Sequence, residues 1–112
     1  MNVIHKELAA GRWFKLSLLE QMANIGSDVE RTISWKNKGD LAYSQQAFER
    51  ALELIDLTIA DPKNKGRRRE ILRAREALID HFMYDNEYGS TDESWQSYFF
   101  AFNYAAAIAR GR

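Results

Sequence analysis

The chain has 112 residues, 46% hydrophobic and 29% charged, which is enough apolar material for one domain with a single core. Sixteen basic residues balance sixteen acidic ones, so whole-surface attraction to nucleic acid or a membrane is excluded. The absence of cysteine excludes disulfides and thiolate metal sites, and two histidines are too few for a histidine-rich metal centre. We therefore expect one cytoplasmic domain over residues 1–112, with no metal, no cofactor and no membrane span.

Hydrophobic residues recur three and four positions apart along almost the whole chain, which predicts helices. Three helices are expected over about residues 13–35, 41–60 and 67–84, and a fourth that ends near residue 109. Asp61-Pro62 ends the second, because the residue before proline avoids the helical conformation. The run Ser90-Thr-Asp-Glu93 is typical of a capping box at the start of the fourth. Short connections between the helices predict an all-α fold, an antiparallel four-helix bundle in up-down-up-down order.

Charge is unevenly distributed along this neutral chain. Residues 1–60 carry a net −1, residues 61–75 carry +5 and residues 76–112 carry −4. Positive side chains at the start of a helix oppose its macrodipole, so their placement indicates an external anion such as phosphate. Solvation, or neutralisation by nearby carboxylates, is the alternative. The candidate phosphate-binding residues are Lys63, Lys65, Arg67, Arg68, Arg69 and Arg73.

Two residues of the third helix are candidates for catalysis. Arg75 has apolar helical neighbours, so its guanidinium needs a partner: either Asp56 or Glu49 on the second helix, or phosphate in a cleft. His81 is suited to general acid–base chemistry near neutral pH, with an isolated or hydrogen-bonded histidine as the alternative. Side chains six positions apart point about 120° apart around a helix. Arg75 and His81 would therefore converge only at a kink or across two subunits.

The fourth helix carries aromatic residues on two faces. Trp95, Tyr98, Phe99 and Phe102 share one broad face, and Phe100 and Tyr104 project from another. One bundle core does not easily cover both faces, which predicts a homodimer. Packing of the second pair against the N-terminal segment is the alternative. The expected interface residues are Trp95, Phe99, Phe100 and Phe102.

Two segments resemble those of a known family. The run Gln45-Gln-Ala-Phe-Glu-Arg-Ala-Leu52 resembles the second-helix signature of HEPN domains (higher eukaryotes and prokaryotes nucleotide-binding). The segment from Arg75 to Phe82 resembles their Arg-polar-x-x-x-His-x-aromatic segment, and the whole resemblance spans roughly residues 13–108. In active members that segment supplies a metal-independent ribonuclease site across a dimer. Other members are not catalytic and pair with a nucleotidyltransferase, or bind nucleotide or RNA.

The second segment departs from the family pattern. With Phe82 on the family's aromatic position, the histidine position falls on Asp80, and His81 lies one place late. The resemblance therefore implies a HEPN-like nucleotide- or RNA-related interaction module, part of a prokaryotic toxin–antitoxin or nucleotidyltransferase pair, with the basic cluster and Arg75 on phosphate. One alternative is an endoribonuclease, in which Arg75 stabilises the phosphorane and His81 transfers a proton. The other is a structural helical adaptor.

Overall fold

The computed structural model describes residues 11–111, and every regular element within them is helical. Within these residues, the prediction of an all-helical fold with four α-helices is confirmed. Two short 3₁₀ helices, Trp13–Lys15 and Pro62–Arg67, precede the first and third α-helices. His5 lies outside the described residues. The four α-helices are α1 (Leu18–Asn37), α2 (Leu41–Ala60), α3 (Arg68–Met83) and α4 (Asp92–Arg110).

α1 begins five residues later than predicted, at Leu18 instead of Trp13. Leu16 takes an extended backbone conformation, with ψ of 147°, and separates the first 3₁₀ helix from α1. The Ser17 hydroxyl then accepts the Glu20 N–H, and the Glu20 carboxylate accepts the Ser17 N–H. This reciprocal pair satisfies two free donors of the first turn and fixes the start of the helix.

The start of α4 differs from the predicted capping box, which is wrong by one residue. Thr91 is the cap: its hydroxyl accepts the Ser94 N–H, and the Ser94 hydroxyl accepts the Thr91 N–H. Ser90 is held in the preceding loop, where the Asn86 side chain bonds both its N–H and its carbonyl. Glu93 consequently lies within the first turn of the helix and is not the residue that completes the box.

The apolar core lies around α1, which packs against both α2 and α4, while α3 packs on α2. α1 and α4 approach closely at Gly26, where an added Cβ would lie 2.7 Å from the Phe99 Cβ. α3 is more peripheral, and its fully buried side chains are Ile71 and Leu78. The apolar spacing of α3 predicts that Leu72 lies beside Ile71 in the core, but its side chain is 50% exposed.

A buried polar network ties both 3₁₀ helices to the start of α1. The Gln21 amide donates to the Trp13 carbonyl at 3.0 Å and to the Asp61 carboxylate at 2.8 Å. The Asn64 amide donates to the Gln21 side-chain oxygen and to the Thr58 carbonyl. The Trp13 indole N–H donates to the Thr58 hydroxyl at 3.0 Å. These bonds satisfy groups that would be costly to bury unpaired, and they fix the connection that leads into α3.

No helix within residues 11–111 is both long enough and apolar enough to cross a bilayer.

Candidate nucleic-acid interface

The basic connection between α2 and α3 is anchored by Asp61. Its carboxylate accepts the Lys63 backbone N–H at 3.1 Å and forms an ion pair with the Lys63 ammonium, which also donates to the Phe14 carbonyl at 2.9 Å. Burial raises the pKa of the Asp61 carboxyl, but hydrogen bonds from Lys63 and Gln21 outweigh it, so the pKa lies below its usual value. Lys63 is therefore used to hold the connection in place.

The first two arginines of the cluster also have partners within the chain. Arg67 donates two hydrogen bonds to the Glu70 carboxylate, at 2.9 and 3.1 Å, and these bonds lower the pKa of Glu70. The Arg68 guanidinium donates to the Ile59 carbonyl at 2.9 Å, near the end of α2. Of the predicted phosphate-binding residues, Lys63 and Arg67 thus pair with carboxylates, and Arg68 bonds a backbone carbonyl.

Lys65, Arg69 and Arg73 differ from these residues, because their side chains form no hydrogen bond or ion pair with any part of the chain that the structure describes. Arg69 and Arg73 lie one helical turn apart and line the same groove, about 540 Å³ in volume, between the first half of α3 and α4. Glu70, the one acidic side chain of the lining, is paired with Arg67. The groove is lined by Gly66, Arg69, Glu70, Arg73, Ala74, Trp95 and Tyr98.

Tyr98 supplies an aromatic ring to this groove. It packs edge-on against Trp95, Phe99 and Phe102, with ring centroids 5.5, 5.0 and 5.4 Å away. Burial raises the pKa of its hydroxyl, and the nearby Glu70 carboxylate adds to the shift, so the phenol stays protonated at neutral pH. The groove therefore combines two cationic side chains with a neutral, partly exposed aromatic ring.

The sequence places Tyr98 on the broad apolar face of α4, where its ring packs, but does not predict that it also borders Arg69 and Arg73. Arg69 and Arg73 lie four positions apart, and that spacing is visible in the sequence as a shared helical face. The juxtaposition of this face with Tyr98 depends on how α3 and α4 meet. The sequence around residue 98 does not by itself predict that Tyr98 lies beside Arg69 and Arg73.

The two residues expected to be catalytic are engaged by different carboxylates. Arg75 donates to Asp56 on α2 at 2.8 Å, the first of the two structural partners predicted for it. His81 contacts Asp92 at the start of α4 through Nε2, at 2.9 Å, and its side chain is 9% exposed. Its Nδ1 is buried without a hydrogen-bond partner in the described chain. The structure gives Arg75 and His81 no shared contact or partner among residues 11–111.

Asp92 joins the ends of three helices. Its carboxylate accepts from the Lys36 ammonium of α1 at 2.8 Å as well as contacting His81 of α3. Burial raises the pKa of the Asp92 carboxyl, but hydrogen bonds from Lys36 and His81, together with the charges of these residues, leave it below its usual value. The Lys36 ammonium also lies 5.2 Å from the centroid of the Phe82 ring. This arrangement resembles a structural anchor more than an accessible general base.

Asp80, which the sequence resemblance aligns with a histidine, has hydrogen-bond partners within the chain. Its two carboxylate oxygens accept the backbone N–H groups of Glu87 and Tyr88, at 2.9 and 3.0 Å. These bonds close the loop that leads from α3 toward α4. The residue therefore stabilises a turn.

The four residues expected at a dimer interface are divided by burial. Trp95 and Phe99 belong to the core of the chain itself, and Phe102 is partly buried against that core. This corrects the expectation for Trp95 and Phe99, since α4 uses its broad face to cover α1. Phe100 is 64% exposed and lies beside the exposed Tyr104.

Within residues 11–111, no group of three or more His, Asp or Glu side chains is arranged to hold a metal ion. Comparison of the chain with protein-family models, with curated proteins and with solved structures finds no match.

Proposed function

We propose that this chain is a HEPN-like, non-catalytic interaction module that binds single-stranded RNA through the groove of Arg69, Arg73 and Tyr98. The observation that carries the proposal is the combination of two arginines without partners in the described chain, one turn apart, beside a partly exposed aromatic ring. Guanidinium groups bind phosphate oxygens through paired N–H donors. An aromatic ring offers a stacking surface that accepts any base.

The placement of these groups suits a short stretch of RNA backbone. Residues four apart on a helix are separated by about 6 Å along its axis, so the two guanidinium groups can contact one phosphate or two neighbouring ones. Single-stranded RNA is recognised mainly through unstacked bases on aromatic side chains and through its phosphates. The zero net charge of the chain is compatible with such a site because the positive charge is local.

The HEPN-like part of the proposal includes an up-down-up-down bundle of antiparallel helices. Its support comes from contacts that run in opposite directions along successive helices. Along α1 and α4, Lys36 contacts Asp92, and Glu30 contacts Gln96 farther along α4. For α1 and α2, Thr32 contacts Ser44 and Gln21 contacts Asp61 at the end of α2. For α2 and α3, Phe48 contacts Phe82 and Asp56 contacts Arg75.

We favour binding over catalysis because of the partners of Arg75 and His81. For the endoribonuclease alternative, Arg75 would have to leave Asp56, and His81 would have to leave Asp92 and become exposed to substrate. Leaving Asp56 costs Arg75 an exposed ion pair, worth no more than about 1 kcal/mol. Leaving Asp92 costs the largely buried His81 a hydrogen bond to a charged group, typically about 1.5–3 kcal/mol. From the family resemblance we propose a cytoplasmic protein that pairs with a nucleotidyltransferase or antitoxin.

A matched pair of double variants tests the binding site. Arg69→Gln/Arg73→Gln and Arg68→Gln/Arg75→Gln each remove two positive charges from the same cluster, but only the first pair lines the groove, and neither Arg68 nor Arg75 pairs with a residue of its lining. Fluorescence anisotropy with a labelled single-stranded RNA is measured in EDTA between about 50 and 200 mM salt. We expect the first variant to bind about tenfold more weakly with a salt slope flatter by about 1.4, and the second to bind like the wild type.

Equal losses in both variants would show that net charge, and not the groove, attracts the RNA. Wild-type protein that binds no RNA even at low salt would favour the structural adaptor. The same mixtures are also examined on a denaturing gel for cleavage. RNA cleavage by the wild type that disappears in His81→Ala, but persists in the exposed-site control Asp85→Ala, would replace the proposal with the endoribonuclease alternative.

A further inference from the structure

α4 carries a second apolar face, on the side opposite the core. Phe100, Tyr104 and Ile108 follow one another at four-residue spacing, so they form one stripe along the helix. Their side chains are 64%, 57% and 42% exposed, and the rings of Phe100 and Tyr104 stack with centroids 6.3 Å apart. A contiguous row of large exposed apolar side chains on a soluble domain is characteristic of a protein interface.

The distribution of charge along α4 indicates what covers this stripe. The sixteen residues from Ser94 to Ala109 contain no charged side chain. The first turn of the helix is acidic, with the exposed Glu93, and the last turn is basic, with the exposed Arg110. A partner with an uncharged apolar stripe, basic at one end and acidic at the other, would complement this surface. α4 itself has those properties when it is turned end for end.

The positions along the helix agree with such a pairing. Residue 102 is the midpoint between Phe100 and Tyr104, and it lies half a residue from the midpoint between Glu93 and Arg110. One antiparallel register therefore pairs Phe100 with Tyr104 of the partner subunit and also places Glu93 level with Arg110 of the partner subunit along the helix axis. The same patch on both copies is what a two-fold dimer requires.

We propose that a second copy of this chain covers the stripe of Phe100, Tyr104 and Ile108 in a two-fold dimer with antiparallel α4 helices. This interface differs from the one predicted from sequence, because Trp95 and Phe99 stay in the core of each copy. It is also separate from the RNA-binding groove, which lies on the α3 side of α4 and includes neither Phe100 nor Tyr104. The dimer therefore presents two grooves, one from each copy.

The first test is the oligomeric state of the full chain, measured by sedimentation equilibrium. We expect wild-type dimers and a dimer Kd at least about 30-fold weaker in Phe100→Arg, as for loss of a central aromatic contact. Tyr84→Arg is the matched control, since Tyr84 is 72% exposed but lies outside the stripe, and its Kd should not change. Circular dichroism establishes that both variants fold.

A monomeric wild type at high concentration would overturn the proposal and would leave residues 1–10 or a different protein as the cover of the stripe. Equal dimerisation of Phe100→Arg and wild type would place the interface elsewhere and would also overturn it. Neither result bears on RNA binding by Arg69 and Arg73, so failure of the dimer and failure of the proposed function are distinguishable.

The second test uses the absence of cysteine from the chain. Ser97 and Ala107 are both exposed, and they are equidistant from residue 102. In the antiparallel dimer, Ser97→Cys of one copy meets Ala107→Cys of the other, while identical positions lie about 15 Å apart along the axis, too far for a disulfide. We expect a disulfide-linked dimer only when the two single variants are mixed and oxidised. Crosslinking within either variant alone, or none in the mixture, would overturn the antiparallel arrangement.

Discussion

The two ends of α3 are both rich in charge but differ in how the side chains are used. At its start, Arg69 and Arg73 face a groove and have no partner among the described residues. Toward its end, Asp80 holds the following loop and His81 contacts Asp92 at the start of α4. One end therefore offers charge to a ligand, whereas the other uses it to hold helices together.

The difference follows from the surroundings of each end. The end of α3 is met by backbone N–H groups of a loop and by Asp92, which also binds Lys36. The start of α3 is met by α4 along Trp95 and Tyr98, which offer rings and no carboxylate. A charged segment is therefore a candidate binding site where its neighbours lack opposite charges, and a structural element where they supply them.

The largest expected effect comes from removing the anchor at the end of α3. Asp92→Ala should lower the free energy of unfolding by about 2–3 kcal/mol. Lys36 loses the carboxylate with which it pairs, and the nearly buried His81 ring loses the hydrogen-bond partner of Nε2, while Nδ1 already has none in the described chain. RNA affinity should stay unchanged. Urea denaturation measures the stability, and the exposed Asp85→Ala should change it by less than about 0.5 kcal/mol. Comparable losses in both variants would contradict the anchoring role.

Acid should weaken the same anchor. The pKa of Asp92 is lowered in the folded protein relative to the usual carboxyl value of 3.8. The stability that the ionised carboxylate contributes is therefore fully present above that value, and it is lost as the pH falls through the folded-state pKa. The stability difference between wild type and Asp92→Ala should therefore be larger at about pH 5 than at about pH 3, because it shrinks as the pH falls below the usual carboxyl value. Urea denaturation at these pH values provides the measurement. A difference that stays constant down to the lowest pH would refute the assignment.

The smallest effect is expected at Arg75. This residue pairs with Asp56, whereas Arg73, two positions earlier, lines the proposed RNA-binding groove. Arg75→Gln removes a largely exposed ion pair with Asp56, so the free energy of unfolding should fall by no more than about 1 kcal/mol. RNA affinity should stay within about twofold of wild type, whereas Arg73→Gln, two residues away, should weaken it about threefold or more. Titration of both single variants with the same RNA gives the comparison. A larger loss in Arg75→Gln than in Arg73→Gln would move the phosphate-binding site toward the end of α3.

Much of the fold could be predicted because helix formation depends on residues that are close together in the sequence. The four helices follow from apolar residues at helical spacing, and the end of α2 follows from Pro62. The start of α4 was misplaced by one residue because Ser90 and Thr91 are equivalent caps in sequence. The choice between them depends on Asn86, whose side chain bonds Ser90 from within the loop.

The candidate site could be predicted only in part. The segment that contains Arg69 and Arg73 was identified from its charge, and Asp56 was one of two partners considered for Arg75. Arg67 and Arg68 are not part of the candidate site, because Arg67 pairs with Glu70 and Arg68 bonds the backbone carbonyl of Ile59. Which of several nearby acceptors a guanidinium reaches is set by packing, and charge density alone does not report it.

The sequence by itself determined that this chain is helical, that it has four helices and that its positive charge is concentrated in residues 61–75. These properties depend on residues close together along the chain. The tertiary structure alone decided which cations remain without partners, that Tyr98 borders them and that Phe100 and Tyr104 stay exposed. Each of these depends on side chains that meet across helices, and the positions of those contacts are set by the packing of the whole core.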